Sequence, residues 1–147
     1  MTFETTQDME LVERILKDPR CYVRMRNDEA PSLRDFSVVG GGFIAVVGKD
    51  GGRALAVFLL FPEGDSAEVH FCILPEVWGK SKQMAEGFLS WAWSNTEYQR
   101  LVGPVPAYNK LCLELARSVG FHEVGREERA VAKHGKLYDR IWTEVTR

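Results

Sequence analysis

Residues 54–61 form an unbroken apolar run inside the segment 53–61 (RALAVFLLF), and this run constrains the fold more than any other feature. A strand with one solvated face alternates apolar and polar residues, whereas a short continuous apolar run is typical of a strand covered on both faces. The run is also far shorter than the roughly 20 residues that a membrane-spanning helix needs. We therefore predict a central strand over residues 53–61.

Two further strands are predicted beside it. Residues 43–47 are apolar and β-branched, and the turn at 49–52 (KDGG) is typical of a tight hairpin. Residues 67–74 (AEVHFCIL) follow the turn at 62–65, and their alternation places Glu68, His70 and Cys72 on one face. The three segments predict an antiparallel meander.

Helical periodicity flanks these strands. One helix is predicted to open near Thr6 and end at Asp18-Pro19, another to cover residues 79–94, and a third to begin at Asn109 and stop at Gly120. Residues 100–105, 121–125 extending to 131, and 137–145 are predicted as strands. The order of elements predicts a single α/β (α+β) domain over residues 1–147, with a mixed, mostly antiparallel sheet flanked by helices.

Composition narrows the function classes. A formal net charge of −2 offers no general attraction to nucleic acid or to an anionic membrane. The three cysteines are widely spaced without a CxxC pair, and the histidines have no companions at ligand spacing, so we expect neither disulfides nor a metal site. No segment reads as a signal peptide, and we expect a cytoplasmic protein.

The junction at residues 74–81 (LPEVWGKS) leads from a predicted strand into a predicted helix. A helix start presents unpaired N–H groups and the positive end of the helix dipole, so it can receive phosphate. Gly79 would allow close approach of an anion, and Lys80 adds a positive charge. An ordinary helix start explains the same residues. A nucleotide-hydrolase phosphate loop is excluded, because its first glycine would fall on Leu74.

At this point the sequence resembles a known family. The segment "LPEVWGKSKQMAEGFLSWAW" is similar to the cofactor motif of GNAT acetyltransferases, particularly the RimJ/RimL-like branch that acetylates protein N-termini. The segment "NKLCLELARSVGF" and the stretch "HGKLYD" resemble later segments of that family. "EVHFCILPE" and "VPAYN" are also similar to small GNAT-like proteins encoded by tailed bacteriophages. The resemblance covers about residues 43–145.

The resemblance implies a GNAT-type sheet in which the strands 67–74 and 100–105 splay apart to admit acyl-CoA. It implies an acetyl-CoA-dependent N-acetyltransferase that moves an acetyl group directly to a primary amine on a small molecule or a peptide. It implies no metal, and it leaves open whether the chain forms a homodimer. The residues implied in cofactor binding are Phe71, Ile73, Leu74, Val77, Trp78, Gly79, Lys80, Ser81 and Asn109.

Three side chains are candidates for proton handling. His70 and Glu68 share a strand face beside the implied thioester site, where they could relay a proton from the amine, or could simply form a structural pair. Cys112 stands three residues after Asn109, where some relatives carry a serine that acts as the general acid. Its place on the apolar face of the predicted helix also suits core packing. Cys72 is expected to be a buried apolar cysteine; a cysteine hydrolase would need it exposed and hyper-reactive.

Departures from the family pattern support a rival function. Glu76 replaces the usual glutamine or arginine, and Ser81 replaces a glycine. Ala116 stands where many members have a tyrosine that protonates the leaving thiolate. The rival is a catalytically weak or inactive GNAT-fold protein that acts as a binding or assembly component. For the acceptor, the acidic residues Asp28, Glu29 and Asp35 either attract the amine or form a solvated loop.

Overall fold

The computed structural model describes residues 1–32 and 42–147. Its strands are β1 (Thr2–Thr6), β2 (Ile44–Asp50), β3 (Arg53–Glu63), β4 (Ser66–Ile73), β5 (Arg100–Pro106), β6 (His122–Lys133) and β7 (Lys136–Thr146). Its α-helices are α1 (Met9–Leu16), α2 (Pro19–Met25), α3 (Ser81–Asn95) and α4 (Lys110–Ser118), and a 3₁₀ segment covers Pro75–Lys80.

The described strands form one seven-stranded sheet in the order β1-β2-β3-β4-β5-β7-β6. Strands β2, β3 and β4 pair antiparallel in succession, so the predicted meander is confirmed. The pairing of β4 with β5 is parallel, and the remaining pairs are antiparallel. The predicted mixed, mostly antiparallel sheet flanked by helices is therefore confirmed.

Strand β3 is buried on both faces because each face carries its own apolar cluster. One face packs against α3, through residues that include Phe58, Leu60 and Phe88. The other face packs against α1 and α2, where Val57 and Leu59 meet apolar residues of both helices. The continuous apolar run in the sequence thus reflects a strand in the middle layer of three.

The N-terminus differs from the prediction. The sequence pattern placed the start of the first helix near Thr6, but Thr2–Thr6 is an edge strand that pairs antiparallel with β2. The helix α1 begins at Met9, because the side chain of Asp8 accepts a hydrogen bond from the Leu11 N–H and caps the first turn. Threonine suits a strand better than a helix interior, which is why the chain changes structure here.

A second difference lies at the strand-to-helix junction. The prediction placed a helix over residues 79–94, whereas a 3₁₀ segment occupies Pro75–Lys80 and α3 begins at Ser81. Val77 has non-helical dihedral angles, with φ of −122° and ψ of 18°, which interrupts regular helix formation. Its side chain is buried, so core packing holds the kink in place.

Gly87 on α3 allows the aromatic ring of Phe3 to rest directly on the helix. A β-carbon at Gly87 would lie 2.6 Å from the Cε2 atom of Phe3. We expect Gly87→Ala to lower the free energy of unfolding by about 1–2 kcal/mol, because overpacking outweighs the gain in helix propensity. Urea unfolding measures the change.

The combination of Gly87→Ala with Phe3→Ala separates these two effects. Once the ring is removed, alanine at position 87 should stabilise the helix by about 0.5–1 kcal/mol relative to Phe3→Ala alone. If alanine at position 87 is equally destabilising with and without the ring, the packing explanation is wrong.

Candidate active site

The parallel pair β4–β5 is joined over only a short distance. Register partners run from Ser66 with Arg100 to Glu68 with Val102, while β5 continues beside β7 as far as Pro106. Beyond Glu68 the described part of β4 has no partner in β5. A gap therefore opens in the middle of the sheet, at the place where the splayed strand pair was predicted.

Two prolines explain why β5 leaves this edge unpaired. The Ala107 N–H donates to the Asp139 carbonyl at 2.9 Å, so alternate residues of β5 turn their backbone groups toward β7. Pro104 and Pro106 therefore face the gap. Because proline has no N–H, the edge carries fewer donors that would need a strand partner.

The facing edge of β4 presents backbone groups at Phe71. The Leu74 N–H donates to the Leu55 carbonyl of β3 at 2.9 Å, so alternation turns the groups of Phe71 and Ile73 toward the gap. The Ile73 carbonyl already accepts a hydrogen bond from Trp78 Nε1 at 2.8 Å. This leaves Phe71 as the position on β4 best placed to pair with a ligand.

A cleft of about 520 Å³ passes through the sheet at this gap. On one face it is bounded by α3 and α4, with Phe88, Asn109 and Cys112 among its walls. On the other face it is bounded by α2 and the residues after it, with Tyr22 and His70 among its walls. Two ligands could therefore enter from opposite faces of the sheet and meet in the gap.

The structure divides the predicted cofactor residues into two groups. Phe71 and Asn109 line the cleft itself. The other members lie outside the cleft lining, along the end of β4, the 3₁₀ segment and the start of α3; they are Ile73, Leu74, Val77, Trp78, Gly79, Lys80 and Ser81.

The junction between the 3₁₀ segment and α3 has an open surface. No side chain caps the first turn of α3, and a β-carbon built on Gly79 would have nothing within 4 Å. The Ser81 hydroxyl donates to the Trp78 carbonyl at 2.9 Å, and Lys80 Nζ lies 3.2 Å from Asp50 Oδ2. An uncapped helix start beside an accessible glycine is suited to an anion.

Glu76 does not act as an isolated negative charge at this junction. Its carboxylate lies 2.8 Å from Arg20 Nη2, and Arg20 also binds Asp18. The backbone N–H of Glu76 and the Arg20 guanidinium hold the pKa of the Glu76 carboxyl below its usual range. The acid that departs from the family pattern is thus partly neutralised by a partner on α2.

The same helix contributes a cation, Arg24, that was not among the predicted site residues. The Arg24 guanidinium lies 4.6 Å from the ring centroid of Trp78. Arg20 and Arg24 are four residues apart and so share one face of α2, which is the sequence signal that could have identified the pair. Arg24 thus adds positive charge beside Trp78, the residue next to Gly79, while Arg20 pairs with Glu76.

His70 and Glu68 lie on the α2 side of β4, as their alternation predicted. His70 Nε2 is 3.5 Å from Glu68 Oε1, and the imidazole packs against the edge of Phe61 with ring centroids 5.4 Å apart. His70 lines the cleft, whereas Glu68 is absent from its walls. The imidazole therefore faces the ligand space and Glu68 contacts it from outside that space.

Neither cysteine near the cleft has the character of a nucleophile. Cys72 is 2% exposed, and its Sγ lies 3.5 Å from the Ile15 carbonyl. Burial raises the pKa of the Cys72 thiol, and it raises the pKa of Cys112 to about 12. Both thiols are therefore protonated at neutral pH, which argues against the cysteine hydrolase.

Asp28, one of the acidic residues expected either to attract the amine or to form a solvated loop, has structural partners. Asp28 accepts hydrogen bonds from the backbone N–H groups of His134 at 2.8 Å and Gly135 at 3.0 Å. Those two N–H groups hold the pKa of Asp28 below its usual range. Asp28 thus attaches the segment after α2 to the β6–β7 turn, Glu29 is exposed, and Asp35 lies outside the described residues.

Within residues 1–32 and 42–147, no group of three or more His, Cys, Asp or Glu side chains is arranged to hold a metal ion. No helix in that part of the chain combines the length and the apolar character needed to cross a membrane.

Comparison by sequence found no match, either to a family model or to a curated protein. Solved structures of similar fold cover nearly the whole chain. Ribosomal-protein-alanine N-acetyltransferase from Brucella melitensis is 17% identical with a TM-score of 0.73, and the match covers 100% of both chains. An acetyltransferase of the GNAT family from Streptococcus pneumoniae is 16% identical with a TM-score of 0.72, over 99% of both chains.

A third structure contains ligands. Spermidine N-acetyltransferase from Vibrio cholerae, in complex with CoA and spermine, is 14% identical with a TM-score of 0.75, over 99% of this chain and 94% of that one. At these identities the likeness establishes the fold. The chain has the fold of GNAT acetyltransferases.

Proposed function

We propose that the chain is an acetyl-CoA-dependent N-acetyltransferase that transfers the acetyl group directly to a primary amine. The observation that carries the proposal is the cleft through the sheet, because it lets a thioester and an amine approach from opposite faces and meet beside His70. Holding two reactants in this way supplies much of the catalysis for a direct transfer. The reaction is expected to take place in the cytoplasm.

The cofactor side of the site fits acetyl-CoA at three places. The backbone groups of Phe71 face the gap and are free of a β5 partner, so they suit an extended amide chain. Asn109 lies across the cleft on the N-terminal end of α4. The uncapped start of α3 beside Gly79, with Lys80 and Arg24 nearby, suits a diphosphate.

The acceptor side suits proton removal from an amine. When bound, acetyl-CoA supplies an electrophilic thioester carbonyl and a thiolate leaving group. His70 would accept the proton that the amine must lose as its nitrogen bonds to the acetyl carbon, and Glu68 would orient the imidazole and balance its charge. The Phe71 N–H, directed into the gap, is placed to polarise the carbonyl oxygen.

Cys112 has a limited role in this scheme. Its thiol lines the cleft, but its pKa of about 12 makes it a weaker acid than an ordinary thiol of about 8.5. It would therefore not protonate the departing thiolate effectively. We assign Cys112 to packing beside the thioester sulfur, and the thiolate would take its proton from solvent.

Thermal stabilisation by acetyl-CoA tests the cofactor half. At a concentration 100 times the Kd, binding should stabilise the fold by about 2.7 kcal/mol and raise the Tm by about 5–10 °C. The matched control is Gly79→Asp, which has open space for its side chain but places a carboxylate where the diphosphate should bind. The Tm of Gly79→Asp without ligand should equal that of the unmodified protein, but acetyl-CoA should no longer raise it. If acetyl-CoA does not raise the Tm of the unmodified protein, the proposal of cofactor binding is contradicted.

Asn109 allows capping to be separated from cofactor contact. Its Oδ1 accepts a hydrogen bond from the Cys112 N–H at 3.3 Å, so Asn109→Ala should cost about 1 kcal/mol of stability as well as acetyl-CoA affinity. Asn109→Ser should retain the cap, since serine is an equally good capping residue, and should still weaken acetyl-CoA binding by about 3- to 10-fold. Equal affinity of Asn109→Ser and the unmodified protein would restrict Asn109 to a structural role.

One observation favours a second candidate function. Ala116 lines the cleft at the position where many family members carry a tyrosine acid, and the neighbouring Cys112 is a weak acid. The chain could accordingly be a GNAT-fold protein that binds acyl-CoA without turnover and acts as a binding or assembly component. If acetyl-CoA raises the Tm as expected but neither small amines nor peptide N-termini are acetylated, this candidate is supported.

A further inference from the structure

The charges around the cleft distinguish between classes of acceptor. Among the residues that line it within 1–32 and 42–147, the basic side chains are Arg26, His70 and Arg140, and there is no aspartate or glutamate. An acceptor with several amines would leave a desolvated cation here without a carboxylate to pair with, which is unfavourable. The cleft lining therefore suits a ligand that brings its own negative charge.

Arg26 is the more available of the two arginines. It follows α2 directly and has no carboxylate within ion-pairing distance in the described part of the chain. Lys133 lies close by, since its Nζ donates to the Arg26 carbonyl at 2.7 Å and to the Val23 carbonyl at 2.8 Å. Burial, and to a lesser extent the charge of Arg26, lower the pKa of Lys133. Arg26 and Lys133 thus place two basic side chains at this end of the cleft, with the Asp28 carboxylate near Lys133.

Arg140 enters the cleft from β7. Its Nη1 lies 3.2 Å from Glu127 Oε1, and the same oxygen accepts a hydrogen bond from Trp142 Nε1 at 2.7 Å. A guanidinium has five N–H donors, so this contact leaves most of them for a ligand. Planar, paired donors of this kind match a carboxylate well.

Apolar side chains make up most of the remaining wall on this side. Met25, Pro31, Phe61 and Val131 line the cleft together with the two arginines. A ligand that fits them needs an apolar body beside its charged group, because a wholly polar ligand would lose hydration against these surfaces without replacement.

We propose that the acceptor is a small amino acid-like amine, with a carboxylate held by Arg26 and Arg140 and an apolar side chain, rather than a polyamine or a peptide N-terminus. This inference rests on the proposed N-acetyltransferase function. The carboxylate fixes the orientation of the molecule, so that its amine faces His70 and the thioester. A peptide N-terminus lacks a carboxylate next to its amine, and a polyamine lacks one altogether.

Matched acceptors test the proposal. L-phenylalanine should be acetylated with a kcat/KM about 10- to 100-fold higher than phenethylamine or L-phenylalaninamide, which lack the carboxylate charge, and spermidine should be the poorest acceptor. The size of the effect is that of one charge-assisted hydrogen-bonded pair. Equal or better turnover of phenethylamine, the amide or spermidine would overturn the inference while the N-acetyltransferase function stands.

Variants assign the effect to the arginines. Arg26→Gln and Arg140→Gln should each lower the preference for L-phenylalanine over phenethylamine by about 10-fold, whereas Arg53→Gln, at the exposed start of β3, should leave it unchanged. Glu127→Gln keeps an acceptor for Trp142 and removes the charge that competes for Arg140, so it should increase the preference by a few fold. A preference that both cleft variants retain in full contradicts the assignment.

Binding measurements decide the inference independently of turnover. Ligand-observed NMR titration of L-phenylalanine and phenethylamine onto the full chain with CoA present should show the same order of affinity. A chain that neither binds acetyl-CoA nor acetylates any amine contradicts the proposed function. Absence of any preference for the carboxylate in the titration contradicts the acceptor class, whether or not turnover is observed.

Discussion

Replacing His70 with glutamine should lower kcat/KM for amine acetylation by about 10²- to 10⁴-fold, the range expected when a general base is removed. His70 lines the cleft with half of its side chain exposed, and its imidazole contacts Glu68 on one side and the edge of Phe61 on the other. Glutamine preserves hydrogen bonding at the position but does not accept a proton. Steady-state kinetics as a function of pH provides the measurement.

Two controls keep the interpretation of His70→Gln specific. The variant should retain the Tm of the unmodified protein and its stabilisation by acetyl-CoA, because His70 lies on the α2 face of the sheet, whereas the Phe71 side chain and Asn109 lie on the face covered by α3 and α4. Glu68→Gln should have a smaller effect, about 10-fold, since Glu68 acts only through the imidazole. A kcat/KM within about threefold of the unmodified value for His70→Gln would exclude proton transfer by this residue.

Replacing Phe58 with alanine should produce the largest loss of stability, about 3–5 kcal/mol. Phe58 lies in the middle of β3 and is 2% exposed. Its ring is stacked on Phe88 with centroids 4.1 Å apart, and it lies 6.0 Å from Phe71 and 6.3 Å from Phe3. Removal of the ring leaves a cavity between β3 and α3 that the rigid sheet cannot close.

Such a loss is a large part of the 5–15 kcal/mol that typically stabilises a domain, and it should lower the Tm by about 10–15 °C. Phe58→Leu keeps most of the apolar volume and should cost less than half as much. Because Phe58, Phe71 and Phe88 also line the cleft, the alanine variant should lose acetyl-CoA stabilisation too. If Phe58→Ala and Phe58→Leu are equally stable, the stacked aromatic packing is not a principal source of stability.

Local periodicity correctly predicted the strands β3 and β4 and the end of α4. The run at 53–61 lies within β3, and alternation assigned His70 and Cys72 to one face of β4. Gly120, with φ of 106°, follows α4 at the predicted stop. These predictions succeed because burial on one or both faces leaves a repeating pattern that does not depend on distant contacts.

Predictions failed or were incomplete where partners distant in sequence decide the structure. The strand β1 forms because β2 offers an edge to it, and the 3₁₀ segment persists because Val77 is buried in the core. The partial neutralisation of Glu76 depends on Arg20, which lies more than fifty residues away in the chain. The hydrophobic periodicity of a short segment carries no information about contacts with residues far away in the chain.

For the site, the sequence by itself determined the residue types and their faces: His70 and Glu68 on one face of β4, and a glycine at position 79 where a strand leads into a helix. Only the tertiary structure decided that β4 and β5 separate after Glu68, that Arg20 and Arg24 of α2 lie beside the 3₁₀ segment, and that Arg26 and Arg140 share one cleft. The physical reason is that side-chain direction follows from local backbone geometry, whereas the separation of strands and the sharing of a cleft depend on packing between residues far apart in the chain.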